Sequence, residues 1–266
     1  MWKQLLVSLL LLCSAVQVQA ANYTDVYYDA AEPGWGLFLI QNGTNQFIAF
    51  FIYGADGKPT WYTAQINDDG AGRYTGTLYA ITGTHFLDPW QGYTINPAGT
   101  ATFSPTDIYH AALTYTVNGL GTVTKPVVRQ TTATEPMSGN YSGSMAGSVS
   151  NCADPADNDA AFRARYSLAV TQNGEASTTL VFTFVDTNHN GIVCTATGPL
   201  THFGRLYQMA GSVACTGPGQ DGNAHPSTID SLHPTGQGIE GKLSIPNVGG
   251  GCVASLHFAA VLNVNN

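Results

Sequence analysis

Three dipeptides, Asn42-Gly43, Asp56-Gly57 and Asn190-Gly191, each sit between apolar runs, and they restrict this 266-residue chain more than any other feature. Asn-Gly and Asp-Gly tolerate positive φ and therefore close tight β-hairpins. Around them, residues at about 35–41, 46–53, 59–66, 73–82, 99–103, 109–117 and 121–129 read as strands. Farther on, Tyr166, Leu168 and Val170 alternate with Ser167, Ala169 and Thr171, and Leu180, Phe182 and Phe184 repeat the period of two. Segments near 191–198, 205–215, 238–245 and 253–263 complete the pattern. A 3.6-residue apolar period is nearly absent, and thirty Gly with thirteen Pro would interrupt most helices. The expected fold is all-β, with two antiparallel meander domains closed as barrels or sandwiches. Avidin- and lipocalin-like barrels share that architecture, an analogy of fold only.

The first residues, MWKQLLVSLLLLCSAVQVQA, combine a lysine, an apolar run and small residues at Val18 and Ala20. This is the pattern of a cleaved signal peptide spanning residues 1–20, which directs the chain to the periplasm or the medium. Cys13 belongs to that segment, because Leu12 stands where a lipoprotein signal needs a small residue. Beyond it, Trp35, Trp61, Trp90 and ten of the thirteen Tyr lie before residue 120, whereas Cys152, Cys194, Cys215 and Cys252 all follow residue 150. An aromatic-rich β domain over 21–130 and a disulfide-containing β domain over 138–266 are therefore expected, joined by a linker at 131–137 that carries Pro136.

Lys3 leaves with the leader, so 8 basic residues face 17 acidic ones, a balance of −9 that argues against nucleic acid as a partner. No second apolar run reaches the length of a membrane helix, so the mature chain is expected to have no transmembrane segment. An outer-membrane barrel is the competing architecture, but the ending VLNVNN lacks a terminal aromatic and the strands are short. Four cysteines in an exported chain favour two disulfides. If Gly204-Arg205 is a two-residue hairpin loop, facing residue numbers sum to 409, which places Cys194 opposite Cys215 and leaves Cys152 for Cys252. Four cysteines allow three connectivities, and this is the one the register favours.

The same arithmetic applied to Asn42-Gly43 and Asp56-Gly57 gives facing numbers that sum to 85 and 113. One face then carries the rows Pro33/Ile52/Trp61, Trp35/Phe50/Thr63 and Leu37/Ile48/Gln65, with Trp35 as a core anchor. The other carries Gly34/Phe51/Tyr62, Gly36/Ala49/Ala64 and Phe38/Phe47/Ile66. Its Gly36/Ala49/Ala64 row is a trough between the aromatic walls Phe38 with Phe47 and Phe51 with Tyr62. Aromatic rings beside strand glycines cover bare backbone, a structural role. Left open, the same trough is a ligand-binding surface for a glycan, a lipid or an envelope protein.

Enzymatic signatures are sparse. The seven histidines, at 85, 110, 189, 202, 225, 233 and 257, show no metal-protease spacing, and no nucleophile elbow, phosphate loop or dinucleotide fingerprint is present. His257, between Leu256 and Phe258, should point to solvent if those two face the core. Asp186, Asn188 and Asn190 match the opening of a calcium loop, but the twelfth position is Thr197 rather than Glu, and an Asn-Gly hairpin turn is the simpler reading. Asp154, Asp157 and Asp159 read as a solvated acidic loop. No other cofactor is implied. Glu32 with Asp29 or Asp56 is the carboxylate pair that a glycoside hydrolase would need.

The stretch Tyr27-Tyr28-Asp29-Ala30-Ala31-Glu32-Pro33-Gly34-Trp35-Gly36, followed by Asp56-Gly57-Lys58-Pro59-Thr60-Trp61, resembles the first module of a family of exported bacterial proteins without an assigned function. Gly76-Thr77-Leu78-Tyr79 and Leu113-Thr114-Tyr115-Thr116-Val117-Asn118-Gly119 fit the same module, while Asn151-Cys152-Ala153-Asp154-Pro155 and Cys194-Thr195-Ala196-Thr197-Gly198 resemble its four-cysteine second module. Tyr27-Tyr28 and Asp29-Ala30 depart from its aromatic pair and Asn-Pro. The resemblance implies the two-module plan and no catalytic residue. The expectation is an exported binding or interaction protein, with a carbohydrate-active hydrolase and a purely structural envelope protein as the alternatives.

Overall fold

The computed structural model of the protein describes residues 21–132, 134–248 and 251–263, so the leader expected at 1–20 lies outside the described residues. Strands β1 (Asp25–Tyr28), β2 (Gly36–Asn42), β3 (Asn45–Tyr53), β4 (Pro59–Asp68), β5 (Tyr74–Gly83), β6 (Tyr93–Pro105), β7 (His110–Val117) and β8 (Gly121–Arg129) follow one another around a closed antiparallel barrel. A second sheet holds β9 (Gly139–Ser150), β10 (Asp159–Asn173), β11 (Ser177–Phe184), β12 (Val193–Gly198), β13 (Leu200–Phe203), β14 (Leu206–Thr216), β15 (Ala224–Pro234), β16 (Gly238–Ile245) and β17 (Val253–Leu262). Pairing of β12 with β14 and of β17 with β9 makes this sheet a ring as well. Leu200 faces Met209 and Thr197 faces Ser212, so β12 and β13 keep one register along β14 and are interrupted only at Pro199, which has no N–H to give a ladder.

Alternation decides what is inside. Leu37, Leu39, Ile48, Phe50, Leu78, Phe103 and Leu113 fill the first barrel. Phe50 against Tyr115 (ring centroids 5.0 Å) and Tyr27 against Phe103 (5.3 Å) close its lumen with the protein's own rings. The second ring buries Tyr166, Leu168, Val170, Leu180, Phe182 and Phe258, while His257 between Leu256 and Phe258 is exposed, as the period of two requires. Four strands lack a strand signal in the sequence, the short β13 among them. β1 is only four residues long, β9 reads GNYSGSMAGSVS, and β15 contains Pro226 and Pro234. In β9, a Cβ on Gly147 would come within 2.0 Å of the Ser255 carbonyl oxygen, so the small residues that weaken its strand signal are what allow β17 to approach.

The Gly204-Arg205 hairpin has the expected register, and the hairpins at Asn42-Gly43 and Asp56-Gly57 do not. Phe203 faces Leu206 and Cys194 faces Cys215, and both disulfides, Cys194–Cys215 and Cys152–Cys252, are formed. At the first hairpin the two-residue loop is Gly43-Thr44, with Asn42 facing Asn45, which slides the pairing without changing faces. At the second the loop has three residues. Gly54 N–H donates to Lys58 O (2.9 Å), Gly57 N–H donates to Gly54 O (2.9 Å), and Gly57 has φ 73°, a type I turn followed by a left-handed glycine. An odd loop length inverts parity, so Phe51 faces Trp61 and Phe50 faces Tyr62. Every side chain of β4 lies on the face opposite to the expected one.

The rings meet at a polar junction. Arg129, whose side chain is fully buried, donates from Nε to Ile108 O (2.8 Å), from Nη2 to Asn22 O (2.7 Å) and from Nη1 to the Asp25 carboxylate (2.7 Å). The same Asp25 oxygen accepts the Arg205 N–H of the β13–β14 turn (3.2 Å). A Cβ on Gly204 would come within 2.4 Å of that oxygen, so only glycine lets the turn seat there. Tyr109 stacks on Phe203 (4.5 Å, 26°) and accepts the Ser231 N–H (2.9 Å), and burial pushes its phenol up to about 12.

Candidate functional site

The lumen of the first barrel is filled by its own side chains, and the outside of that barrel is divided. On β5–β8 it is a threonine lattice. Thr75, Thr102, Thr114 and Thr124 form one row across four strands, and Thr77, Thr100, Thr116 and Thr122 form the next. Hydroxyl contacts link Thr75 to Thr102 (3.0 Å), Thr114 to Thr124 (2.9 Å) and Thr116 to Thr122 (2.8 Å). Cross-strand threonine pairs of this kind stabilise the sheet and face water comfortably.

On β2–β4 the outward rows are Gly36/Phe51/Trp61, Phe38/Ala49/Thr63 and Ile40/Phe47/Gln65, and none contains a charge. Exposure of their large side chains runs from 42% for Phe47 to 60% for Ile40. Phe38 and Phe51 meet edge to face at 5.7 Å. Ala49 and the buried Thr63 share a row with Phe38, whereas Gly36 shares one with Phe51 and Trp61, so the expected Gly36/Ala49/Ala64 row does not form and no continuous trough runs across the three strands. Of the residues singled out from sequence, Gly36, Phe38, Phe47, Ala49 and Phe51 share this face; Tyr62 and Ala64 point into the barrel, Tyr62 against Phe50 at 5.8 Å. Trp35 packs on the core as expected, and Gly36 is small because a Cβ would come within 2.8 Å of Tyr27 O.

Further exposed apolar side chains lie on β6 and on the loop between β5 and β6. Two residues past the Thr63–Tyr79 pair, on the same side, are Trp61 and Ile81, and Ile81 faces Ile95. β5 and β6 run on as a hairpin whose tip carries Phe86, Leu87 and Trp90, exposed by 86%, 76% and 71%. Tyr93 and Ile95 follow on its returning strand, with Trp90 and Tyr93 in ring contact at 6.3 Å. Of the fourteen large hydrophobic side chains exposed among the described residues, eleven lie between Phe38 and Ile95. The missed signal was HFLDPWQGY itself, three large apolar residues interspersed with turn formers, which a strand-seeking reading passes over.

The candidate chemistry is spread out rather than gathered. Glu32 holds Lys125 in an ion pair (Nζ to Oε2 2.7 Å), and that hydrogen bond lowers its carboxyl below the ordinary value, the wrong direction for a general acid. Asp29 accepts the Ala31 N–H (2.9 Å) and Asp56 the Lys58 N–H (3.1 Å), both as turn-forming carboxylates. At Asp186, Oδ1 accepts the Asn188 and His189 N–H groups (3.1 Å each) and meets His189 Nδ1 (2.7 Å), while Oδ2 accepts the Arg165 N–H (2.9 Å). Burial raises this carboxyl, but these donors outweigh it and hold it at about 2. The loop with Asn188 and Asn190 is thus built as a hydrogen-bonded turn, and no group of three His, Cys, Asp or Glu that would hold a metal occurs among the described residues. No family model and no curated protein matches the chain.

Proposed function

We propose that this is an exported, non-catalytic interaction protein that presents the β2–β6 face of its first barrel to a partner protein of the envelope or extracellular space. The observation that carries the reading is the segregation of the barrel exterior, with eleven of the fourteen exposed large apolar side chains between Phe38 and Ile95 and a threonine lattice across β5–β8. An apolar surface this continuous marks an interaction site. Its composition, aromatic and aliphatic with charge absent from the β2–β4 rows, matches the buried centre of a protein interface. Stacking on a sugar needs a few aromatic platforms, whereas Ile40, Leu87 and Ile95 add aliphatic surface that a glycan leaves unused. The barrel also has the reverse distribution to a membrane-spanning one, apolar inside and half hydroxylated outside. Two disulfides fit an oxidising compartment, and among the described residues no helix is long and apolar enough to cross a membrane. The likeness to the two-module exported family belongs to the same proposal.

The test is photo-crosslinking in cells from a benzophenone amino acid at Phe38 or Phe47, with Thr114 on the opposite side as control. The expected result is one discrete adduct from the first two positions, abolished by Trp61→Asp in a protein that still folds. Adducts of equal yield from Thr114 would overturn the reading, as would Trp61-dependent binding to polysaccharide or lipid vesicles without a protein adduct.

A further inference from the structure

Four of the described basic residues, Lys58, Arg73, Lys125 and Arg129, each have a carboxylate within ion-pair distance. Arg163, Arg165, Arg205 and Lys242 have none among the described residues, and of these only Arg163 and Arg165 lie two apart on one strand, in a chain whose formal charge is −8. Both project from the outer face of β10, because Ala164 and Tyr166 on either side of Arg165 are buried. Strand geometry spaces such a pair by roughly 6.6 Å. On the neighbouring strand Arg163 faces Ala146 and Arg165 faces Ser144, so small residues floor the space beside both guanidinium groups. The Asp186–Asn188 turn forms the far wall, and a cleft of ≈ 540 Å³ lies between.

We propose that this cleft binds an oxyanion, a carboxylate, phosphate or sulfate carried by a small molecule or a glycan, through the two arginines. Each guanidinium offers a planar fork of donors matched to such a group. The one carboxylate in the wall, Asp186, forms no ion pair with either arginine, and its oxygens accept the donors of its own turn and the Arg165 backbone N–H. His257 faces Ala146 from β17 and adds an exposed ring beside the cleft, whereas Lys242 beyond it stands opposite Asp230 on β15. Arginines kept only for solubility would scatter; these two share a face, a floor of small residues and a recess.

Amide chemical-shift titration of the whole protein tests the proposal with three probes: inorganic phosphate, trigalacturonate and the neutral maltotriose. Phosphate or trigalacturonate should shift Ser144, Ala146 and Asn188, with affinity at least tenfold weaker in Arg163→Ala/Arg165→Ala and falling as salt rises. Equal affinity for the two anions assigns a simple oxyanion site, and tighter trigalacturonate binding assigns an acidic glycan. Trp61→Asp should leave these shifts unchanged, which separates this site from the apolar face. The proposal fails if neither anion shifts these residues, if the double variant binds equally well, or if maltotriose binds in the same place.

Discussion

The two rings share an up-and-down order but are sealed differently where first strand meets last. In the first barrel only Tyr27 with Arg129 and Tyr28 with Val128 pair across the β1–β8 seam. In the second, ten pairs from Ser150 with Val253 to Tyr141 with Leu262 join β9 to β17, and Cys152–Cys252 clips one end. A long ladder needs only its end held, and the covalent clip also closes a loop of sequence separation 100 in the unfolded chain. A two-pair seam has little ladder to hold. The buried guanidinium supplies the closure by collecting Asn22 O, Ile108 O and the Asp25 carboxylate into one hydrogen-bonded knot.

Breaking each seam separately should therefore unfold different halves. Arg129→Met leaves the Asp25 charge without its guanidinium partner and the Asn22, Thr24 and Ile108 carbonyls without their donor, and should cost about 3–5 kcal/mol. In denaturant, tryptophan fluorescence should report the loss, because Trp35, Trp61 and Trp90 all lie in the first barrel. Cys152→Ser/Cys252→Ser should cost about 2–5 kcal/mol in the second ring. The fluorescence midpoint should then stay near wild type while ellipticity changes earlier. Coincident transitions in both variants would show that the Asp25–Arg205 and Tyr109–Phe203 contacts make the rings one cooperative unit.

The seams also show where sequence suffices. Disulfide pairing was legible because Gly204-Arg205 fixes a register that holds unbroken through Cys194 and Cys215, even across Pro199. Arg129 was not, since its role depends on carbonyls from Asn22 and Ile108, which only the closed barrel brings to it. The aromatic face was half legible. The alternation in β2 and β3 gives the correct sides, but Asp56-Gly57 reads as a two-residue turn and forms the end of a three-residue one. The correction was present in β4, where Trp61, Thr63 and Gln65 alternate with Tyr62, Ala64 and Ile66. Gln65 belongs outside and Ile66 inside, and that pattern outweighs turn type when the two conflict.

Parity gives a sharper and smaller test. Tyr62→Ala removes a ring packed on Phe50 and should destabilise the first barrel by about 3 kcal/mol. Trp61→Ala removes a larger ring from the outer face, and should cost less than about 1 kcal/mol while abolishing the proposed partner contact. Equal costs in urea unfolding would mean that β4 presents neither face consistently and that the three-residue turn does not form in solution.

The smallest expected effect compares a motif that both rings contain. Asp107 takes the N–H groups of Tyr109 (2.6 Å) and His110 (2.8 Å) and the His110 ring, and Asp186 takes those of Asn188 and His189 and the His189 ring. Burial opposes ionisation in both, and the donors win in both. Asp186 is the more enclosed, with 16% of its side chain exposed against 50% for Asp107, and its second oxygen holds the Arg165 N–H. Its folded pKa, about 2, lies below the roughly 3.9 of an unfolded aspartate. The stabilisation from Asp186 is thus complete above that unfolded value and is lost as pH falls from about 5 toward 2. Carboxyl-carbon NMR titration should show Asp186 ionising at lower pH than Asp107, with His189→Ala moving Asp186 upward and leaving Asp107 in place. If Asp186 instead titrated near 4, its turn would be open in solution, and the wall it gives the arginine cleft would be lost with it.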